Sequence, residues 1–292
     1  MNRIVKKIYF AVPFKTQFYH FVRLLYKPRA SIAGYLKFKG VFKMHFGERH
    51  VRIFNNNLTV PTLLFWKGID GYEPETLKLW VKLSAKAKNI FDVGANFGLF
   101  GLISKCIRPD SKVFCFEPLR RNGDLISKNN EINRYDITVV QAAVSNKEGT
   151  FTFYDMDDYD NTIGSFDKDF VLGHRHHKAL LPTAVPTITI DSYVEKSNIQ
   201  ALDLLKIDVE GHELSAIEGA RSTIAKFKPA IVIEISEHSG EAVGKLLHEI
   251  VPGYQFYAIH ESGGLNKVQS LAFRQGRNFL VTPELLNMNE IH

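Results

Sequence analysis

From residue 70 onward the chain alternates apolar runs of strand length with amphipathic stretches of helical period, and this alternation restricts its fold more than any other feature. Strands are predicted over 89–93, 112–116, 137–144, 150–154, 201–209, 229–236, 255–260 and 278–282, with helices over 99–107, 120–130, 213–226 and 241–250. Strands that alternate with helices build a mostly parallel sheet covered on both faces, a doubly wound α/β architecture. Ligands on such sheets lie outside the carboxyl ends of the strands, at the topological switch point. Residues 156–186 break the rhythm with an acidic, aromatic and then histidine-rich insertion. A segment of that length is expected to act as a lid or substrate-facing loop.

The first strand ends in FDVGANFG, residues 91–98. Gly94 permits a tight turn, and Gly98 permits close approach of a ligand and the next helix. A dinucleotide fingerprint requires glycine where this chain has Asn96, which disfavours a nicotinamide cofactor. Glu117, in FCFEP at the end of the second strand, can accept both hydrogen bonds of a ribose diol. Asp92 would repel a pyrophosphate but favour the ammonium and sulfonium of S-adenosylmethionine. The plainer alternative is that Asp92 caps the following turn.

Asp92-Val93-Gly94-Ala95-Asn96-Phe97-Gly98, Phe116-Glu117-Pro118, Ala143-Val144-Ser145-Asn146, Ile233-Glu234 and, above all, residues 205–213 (LKIDVEGHE) resemble the FkbM-type S-adenosylmethionine-dependent methyltransferases. The resemblance runs from about residue 73 to 283. It implies a Rossmann-like, seven-stranded class I methyltransferase sheet of order 3-2-1-4-5-7-6, the last strand antiparallel, over a domain of 71–292. It also implies S-adenosylmethionine as cofactor and O-methylation of a hydroxyl on a sugar of a surface polysaccharide or glycolipid, or on a secondary metabolite. Carried over residue by residue, Asp92, Gly94, Asn96 and Gly98 would line the methionine and ribose part, and Glu117 the ribose hydroxyls. Glu73 would lie near the cofactor, unless it is only a first-turn helix charge. Gln141 and Ala142 are adenine-side candidates by position.

In KIDVEGHE, residues 206–213, Lys206, Asp208 and Glu210 share the two-residue period of a strand and project to one side if the strand persists. A lysine there needs a partner, and Asp92 or Glu234 at neighbouring strand ends could supply one. Methyl transfer to an alcohol needs in-line positioning and removal of the hydroxyl proton. Asp208 is the candidate for orienting the reactants, with Glu210 beside it. His212 is the candidate base, since imidazole titrates near neutrality; a structural or substrate hydrogen bond is its other reading. Glu213 reads as the start of the next helix. In an alternative, Asp208, Glu210 and Glu234, with His212 or His238, hold a divalent metal, although no metal is expected. His174, His176 and His177 could also ligate metal, or stay solvated. Trp66, Tyr72, Tyr154 and Tyr159 could stack on a sugar or simply pack.

Residues 1–54 carry twelve Lys and Arg against one acid, Glu48, a net +11 within a chain of +6. Subtraction leaves about −5 for the remainder, so the basic character belongs to an N-terminal accessory segment, 1–70. This segment is expected to pack on the enzyme body or to touch an anionic membrane or polymer; nucleic acid is not expected. Residues 4–26 are aromatic and apolar, but Pro13, Lys15, Gln17, His20 and Arg23 interrupt them, so no transmembrane span or secretory signal is predicted. Cys106 and Cys115 are expected as free thiols in a reducing, cytoplasmic setting, with membrane-peripheral attachment as a variant. Two other function classes stay open at this point, a nicotinamide oxidoreductase and a non-catalytic membrane-docking scaffold.

Overall fold

The computed structural model describes residues 14–156, 165–166 and 180–283. The chain divides into two compact units, Met1–Pro74 and Glu75–His292, a boundary a few residues past the one expected at 70/71.

The first unit contains helix α1 (Lys15–Leu25), a short α2 (Ala30–Ala33), strands β1 (Lys39–Phe46) and β2 (Arg49–Asn56), and helix α3 (Thr59–Lys67). The strands form an antiparallel hairpin. Its turn uses Gly47 at φ 59°, a left-handed conformation that glycine adopts without steric cost. The unit's core is aromatic: the Phe38 and Phe65 rings lie 4.5 Å apart, and Tyr19 lies 5.2 Å from Trp66. Trp66 is fully buried and its indole N–H donates to the Leu36 carbonyl at 3.3 Å. Of its two readings, packing is the one observed.

The second unit opens in α4 (Pro74–Lys86), followed by β3 (Asn89–Val93), α5 (Leu99–Ile107), β4 (Lys112–Phe116), α6 (Arg120–Asn133) and β5 (Thr138–Val140). Then come β6 (Ala143–Val144), β7 (Gly149–Met156), β8 (Leu180–Ile188), α7 (Ile190–Lys196), β9 (Leu204–Ile207), α8 (Glu213–Glu218) and α9 (Arg221–Phe227). The unit closes with β10 (Ala230–Glu234), α10 (Gly240–Ile250), β11 (Gln255–Ile259), β12 (Leu265–Val268) and β13 (Asn278–Thr282). Eight strands form the main sheet in the order β12-β11-β13-β10-β9-β3-β4-β5. The strands from β5 to β10 run parallel, and β13 is antiparallel to both of its neighbours. β12 is an eighth strand beyond the seven expected, antiparallel to β11.

Alternation along β3 and β9 sends Phe91, Val93, Leu205 and Ile207 into one buried core with Ile217, Ile224 and Leu247. Asp92 and Lys206, paired in register, turn to the opposite face. On that side the α4 residue Trp80 donates its indole N–H to the Phe100 carbonyl and the Ser104 hydroxyl of α5, each at 2.9 Å.

Four expectations change. The strand predicted over 137–144 divides: Ala142 N–H turns back to the Val140 carbonyl at 2.9 Å, and β6 joins β8 and β7 in a separate three-stranded sheet. The 156–186 insertion therefore contributes a strand, β8, while its histidines at 174, 176 and 177 and Tyr159 lie outside the described residues. The helix predicted over 213–226 also divides, into α8 and α9. A Cβ on Gly219 would sit 2.0 Å from the Ser145 carbonyl oxygen, so the chain passes too close there for any side chain. Asp191 then restarts the helix by accepting the Ser222 and Thr223 N–H groups at 2.9 and 2.8 Å. Finally, the strand predicted over 201–209 is only β9, with consequences for the site.

Candidate active site

The carboxyl ends of β4, β3 and β9 lie side by side, and the chain turns sharply after each. Gly94 has φ 78°, and a Cβ there would lie 1.8 Å from the Asp208 carbonyl oxygen. The Asp208 N–H in turn donates to the Val93 carbonyl at 3.0 Å. Gly94 is thus required by the seam between the two strand ends as well as by its turn. Asn96 is left-handed at φ 52°, a region asparagine tolerates better than most residues. Gly98, at φ 85°, begins α5 with its α-carbon facing Ile126 of α6.

Asp92 is buried beneath α5. Its Oδ2 accepts the Gly101 N–H at 3.1 Å and faces the Cys115 thiol at 3.8 Å, while Oδ1 has no hydrogen-bond partner among the described residues. Burial pushes its pKa from 3.8 up to about 6, against the opposing pull of Lys206. Glu117 is also buried: Oε2 accepts the Asn96 N–H and Oε1 the Leu119 N–H, both at 2.9 Å. Burial raises this carboxyl to about 7, opposed by those same hydrogen bonds. The Asn122 side chain is a third donor to this carboxylate, which leaves about one lone pair for a hydroxyl donor. Gln141 donates to the Glu117 and Pro118 carbonyls at 2.8 and 2.9 Å and is exposed, whereas Ala142 is buried behind it. Glu73 belongs to the first unit, with φ 39°. It precedes Pro74, the first residue of α4, so the acid in that helix's first turn is Glu75 instead.

β9 ends at Ile207, so the strand period does not carry Glu210 to the side of Lys206. Glu210 and Gly211 have φ 47° and 91° and turn the chain out of the sheet. Lys206, buried, donates to Asp208 Oδ2 at 2.8 Å and stands 4.3 Å from the centre of the Phe100 ring. Burial, then the neighbouring Asp208, pushes Glu210 up to about 8. Glu213 is structural: its Oε1 accepts the Gly211 N–H at 2.7 Å, and its Oε2 accepts the Ser236 and Ser239 hydroxyls at 2.9 and 2.7 Å.

His212 closes the segment. Its Nε2 is 2.9 Å from the Ser145 hydroxyl, and its ring centre is 4.6 Å from that of Phe166. Burial lowers its pKa, opposed by Glu218. Ser165 donates to the Glu210 carbonyl at 2.6 Å and exchanges backbone hydrogen bonds with Tyr154, so this described part of the insertion abuts both Glu210 and His212. Reading the residues for chemistry missed Ser165 and Phe166; the only signal was that the insertion interrupts a regular pattern. It also missed Arg121, at the start of α6, which forms an ion pair with the buried Asp155 of β7.

Glu234 forms an ion pair with Arg277, and His238 is exposed. Among the described residues, no group of three or more His, Cys, Asp or Glu is disposed to hold a metal ion. Neither Cys106 nor Cys115 forms a disulfide among the described residues, and both are buried. A cavity of about 580 Å³ between α7 and α9 is lined by Asp191, Glu195 and Lys226 but by none of these candidates.

A doubly wound sheet with buried carboxylates at the ends of its first two strands, and an ionisable turn after the fourth, defines a class I S-adenosylmethionine-dependent methyltransferase. Residues 92–275 match the Methyltransferase FkbM domain, well over half of the chain, and the protein belongs to that family. It is 24% identical over 181 residues to the 2-O-methyltransferase NoeI of Sinorhizobium fredii, covering 58% of this chain and 73% of that protein. The hexuronic acid methyltransferase AglP of Haloferax volcanii is 24% identical over 182 residues, 61% of this chain and 68% of AglP. A crystal structure of methyltransferase FkbM from Methylobacillus flagellatus aligns with a TM-score of 0.43 at 18% identity, over 67% of this chain and 43% of that one. The nicotinamide and scaffold alternatives are thereby set aside.

Proposed function

We propose that the protein transfers a methyl group from S-adenosylmethionine to a hydroxyl of a sugar or other small acceptor at the ends of β3, β4 and β9. The observation that carries this reading is that the buried carboxylates Asp92 and Glu117 and the Lys206–Asp208 ion pair belong to the neighbouring carboxyl ends of β3, β4 and β9, with His212 four residues after Asp208. The name of NoeI, a 2-O-methyltransferase, supports transfer to oxygen, and that of AglP, a hexuronic acid methyltransferase, supports a sugar acceptor.

The residues suit the cofactor chemically. The second oxygen of Asp92 lacks a donor among the described residues, matching an ammonium, and the remaining lone pair of Glu117 matches a ribose hydroxyl, with Asn122 exchangeable for the second. Asn96, Gly98, Gln141 and Ala142 frame the same end. Bound S-adenosylmethionine supplies an electrophilic methyl on sulfur. Asp208, fixed by Lys206, accepts a hydrogen bond from the acceptor hydroxyl and orients its lone pair. His212, kept neutral at physiological pH by its burial, takes the hydroxyl proton. Glu210, protonated at neutral pH, donates a hydrogen bond to the acceptor. A metal held by Asp208 and Glu234 would first have to displace Lys206 and Arg277 from them.

The test is incubation of a panel of sugars with methyl-labelled S-adenosylmethionine, with and without chelator, followed by mass spectrometric location of the label. Label on a hydroxyl oxygen, unaffected by chelator, is expected. Label confined to carboxylates or nitrogens would refute the hydroxyl assignment.

A further inference from the structure

We propose that the first unit docks on an anionic lipid surface through the outward face of α1. The inference does not depend on the reading of the active site.

The side of α1 that packs on the rest of its unit is largely polar, while its outward side is apolar. Thr16, Tyr19, His20 and Arg23, spaced at i, i+3, i+4 and i+7, make the packing contacts, with Tyr19 buried, Thr16 and Arg23 half-buried and His20 exposed at the rim. The Thr16 hydroxyl donates to the Lys39 carbonyl at 2.8 Å, Tyr19 packs on Trp66, the His20 ring is 5.1 Å from Phe65, and the Arg23 guanidinium lies 4.9 Å over the same Phe65 ring. Phe14, Phe18, Phe21 and Leu25, at i, i+4, i+7 and i+11, form the opposite face and are 77%, 60%, 61% and 76% exposed. A helix that packs through half-buried polar side chains and turns its phenylalanines outward has an apolar face meant for something other than water. The feature is local: of the eleven large apolar side chains exposed among the described residues, nine lie between Phe14 and Val41.

The charge selects the occupant. Residues 1–54 hold twelve basic side chains and the single acid Glu48, and Lys27, Arg29, Lys39 and Lys43 are exposed. A second copy of the same face would bring +11 against +11, which opposes self-association through it. An anionic bilayer satisfies both demands, taking aromatic and leucine side chains at headgroup depth and attracting the surrounding lysines and arginines. Among the described residues no helix is long and apolar enough to cross a membrane, so the contact proposed is peripheral.

The test is co-sedimentation of the full chain with vesicles of phosphatidylcholine alone, or mixed with roughly one-third phosphatidylglycerol. Binding to the mixed vesicles, at least about tenfold tighter than to the neutral ones and weakened by salt, is expected. The double variant Phe18→Ser/Phe21→Ser should lose roughly tenfold or more in partitioning, because two exposed aromatics no longer enter the interface. Lys27→Gln/Arg29→Gln leaves the apolar face intact and should weaken binding to the mixed vesicles alone, which guards against a folding defect in the first variant. Equal partitioning to both vesicle types, no binding to either, or a wild-type dimer in sedimentation velocity that the serine variant abolishes would each overturn the proposal.

Discussion

Replacing Asp92 by asparagine separates what the cofactor site costs from what it does. Burial raises the Asp92 carboxyl from 3.8 to about 6 in the folded protein. Between those values the folded state holds the proton more tightly than the unfolded chain, so stability falls as pH rises through the interval and then levels off. At about 1.4 kcal/mol per pH unit, the full penalty above pH 7 is about 3 kcal/mol, of which about 2 kcal/mol accrues between pH 4.5 and pH 7. Asparagine keeps an oxygen for the Gly101 N–H but places an NH₂ where Oδ1 has no partner, at a cost of about 1–2 kcal/mol. Urea unfolding without ligand should therefore show Asp92→Asn gaining about 2 kcal/mol relative to wild type as pH goes from 4.5 to 7, and ending about 1–2 kcal/mol more stable. Repeating the titration with saturating S-adenosylmethionine should reverse the order, since the variant lacks the charge that meets the ammonium. A pH-independent difference between the two proteins would refute the burial argument. An unchanged ligand-induced stabilisation would refute the role of Asp92 in binding.

Other expectations follow from the same geometry. Gly94→Ala places a methyl 1.8 Å from the Asp208 carbonyl and should cost more than about 3 kcal/mol, read as a fall in the urea midpoint. Glu117→Ala should weaken S-adenosylmethionine by roughly 10–100-fold in calorimetry, and wild-type affinity should rise as pH passes through about 7, where the carboxyl ionises. His212→Ala should lower kcat at least about 100-fold with cofactor affinity retained. The acid limb of the wild-type kcat/KM profile should fall below the ordinary imidazole range and vanish in the variant, and its persistence would assign that limb elsewhere.

The main sheet was legible because β4, β10 and β13 contain the unbroken apolar runs 113–116, 230–233 and 279–281, as strands buried on both faces do, and the run 90–93 of β3 departs from this only at Asp92. β8 was not legible, since Pro182 and Pro186 argue against a strand. It is nevertheless the middle strand of its sheet, tolerated because β6 pairs only with Thr187 and Ile188. The division between α8 and α9 was hidden for a different reason: the close approach of Gly219 to Ser145 is a tertiary event without a local signature. At the candidate site, residue types and strand-end positions pointed to Asp92, Glu117 and Asp208, which the fold brings to neighbouring strand ends. Their orientations were less visible. The turn at Glu210 and Gly211 overrides strand periodicity, and the partners of His212 come from Ser145 and Phe166, far away in sequence.

The most direct test of the account is a single-turnover measurement, with S-adenosylmethionine already bound, comparing wild type with Asp208→Asn. The asparagine should retain cofactor affinity within a few-fold while methyl transfer slows by about 100-fold or more, because the group that orients the acceptor has lost its charge. Transfer at the wild-type rate would contradict the assignment of the chemistry to the turn after β9.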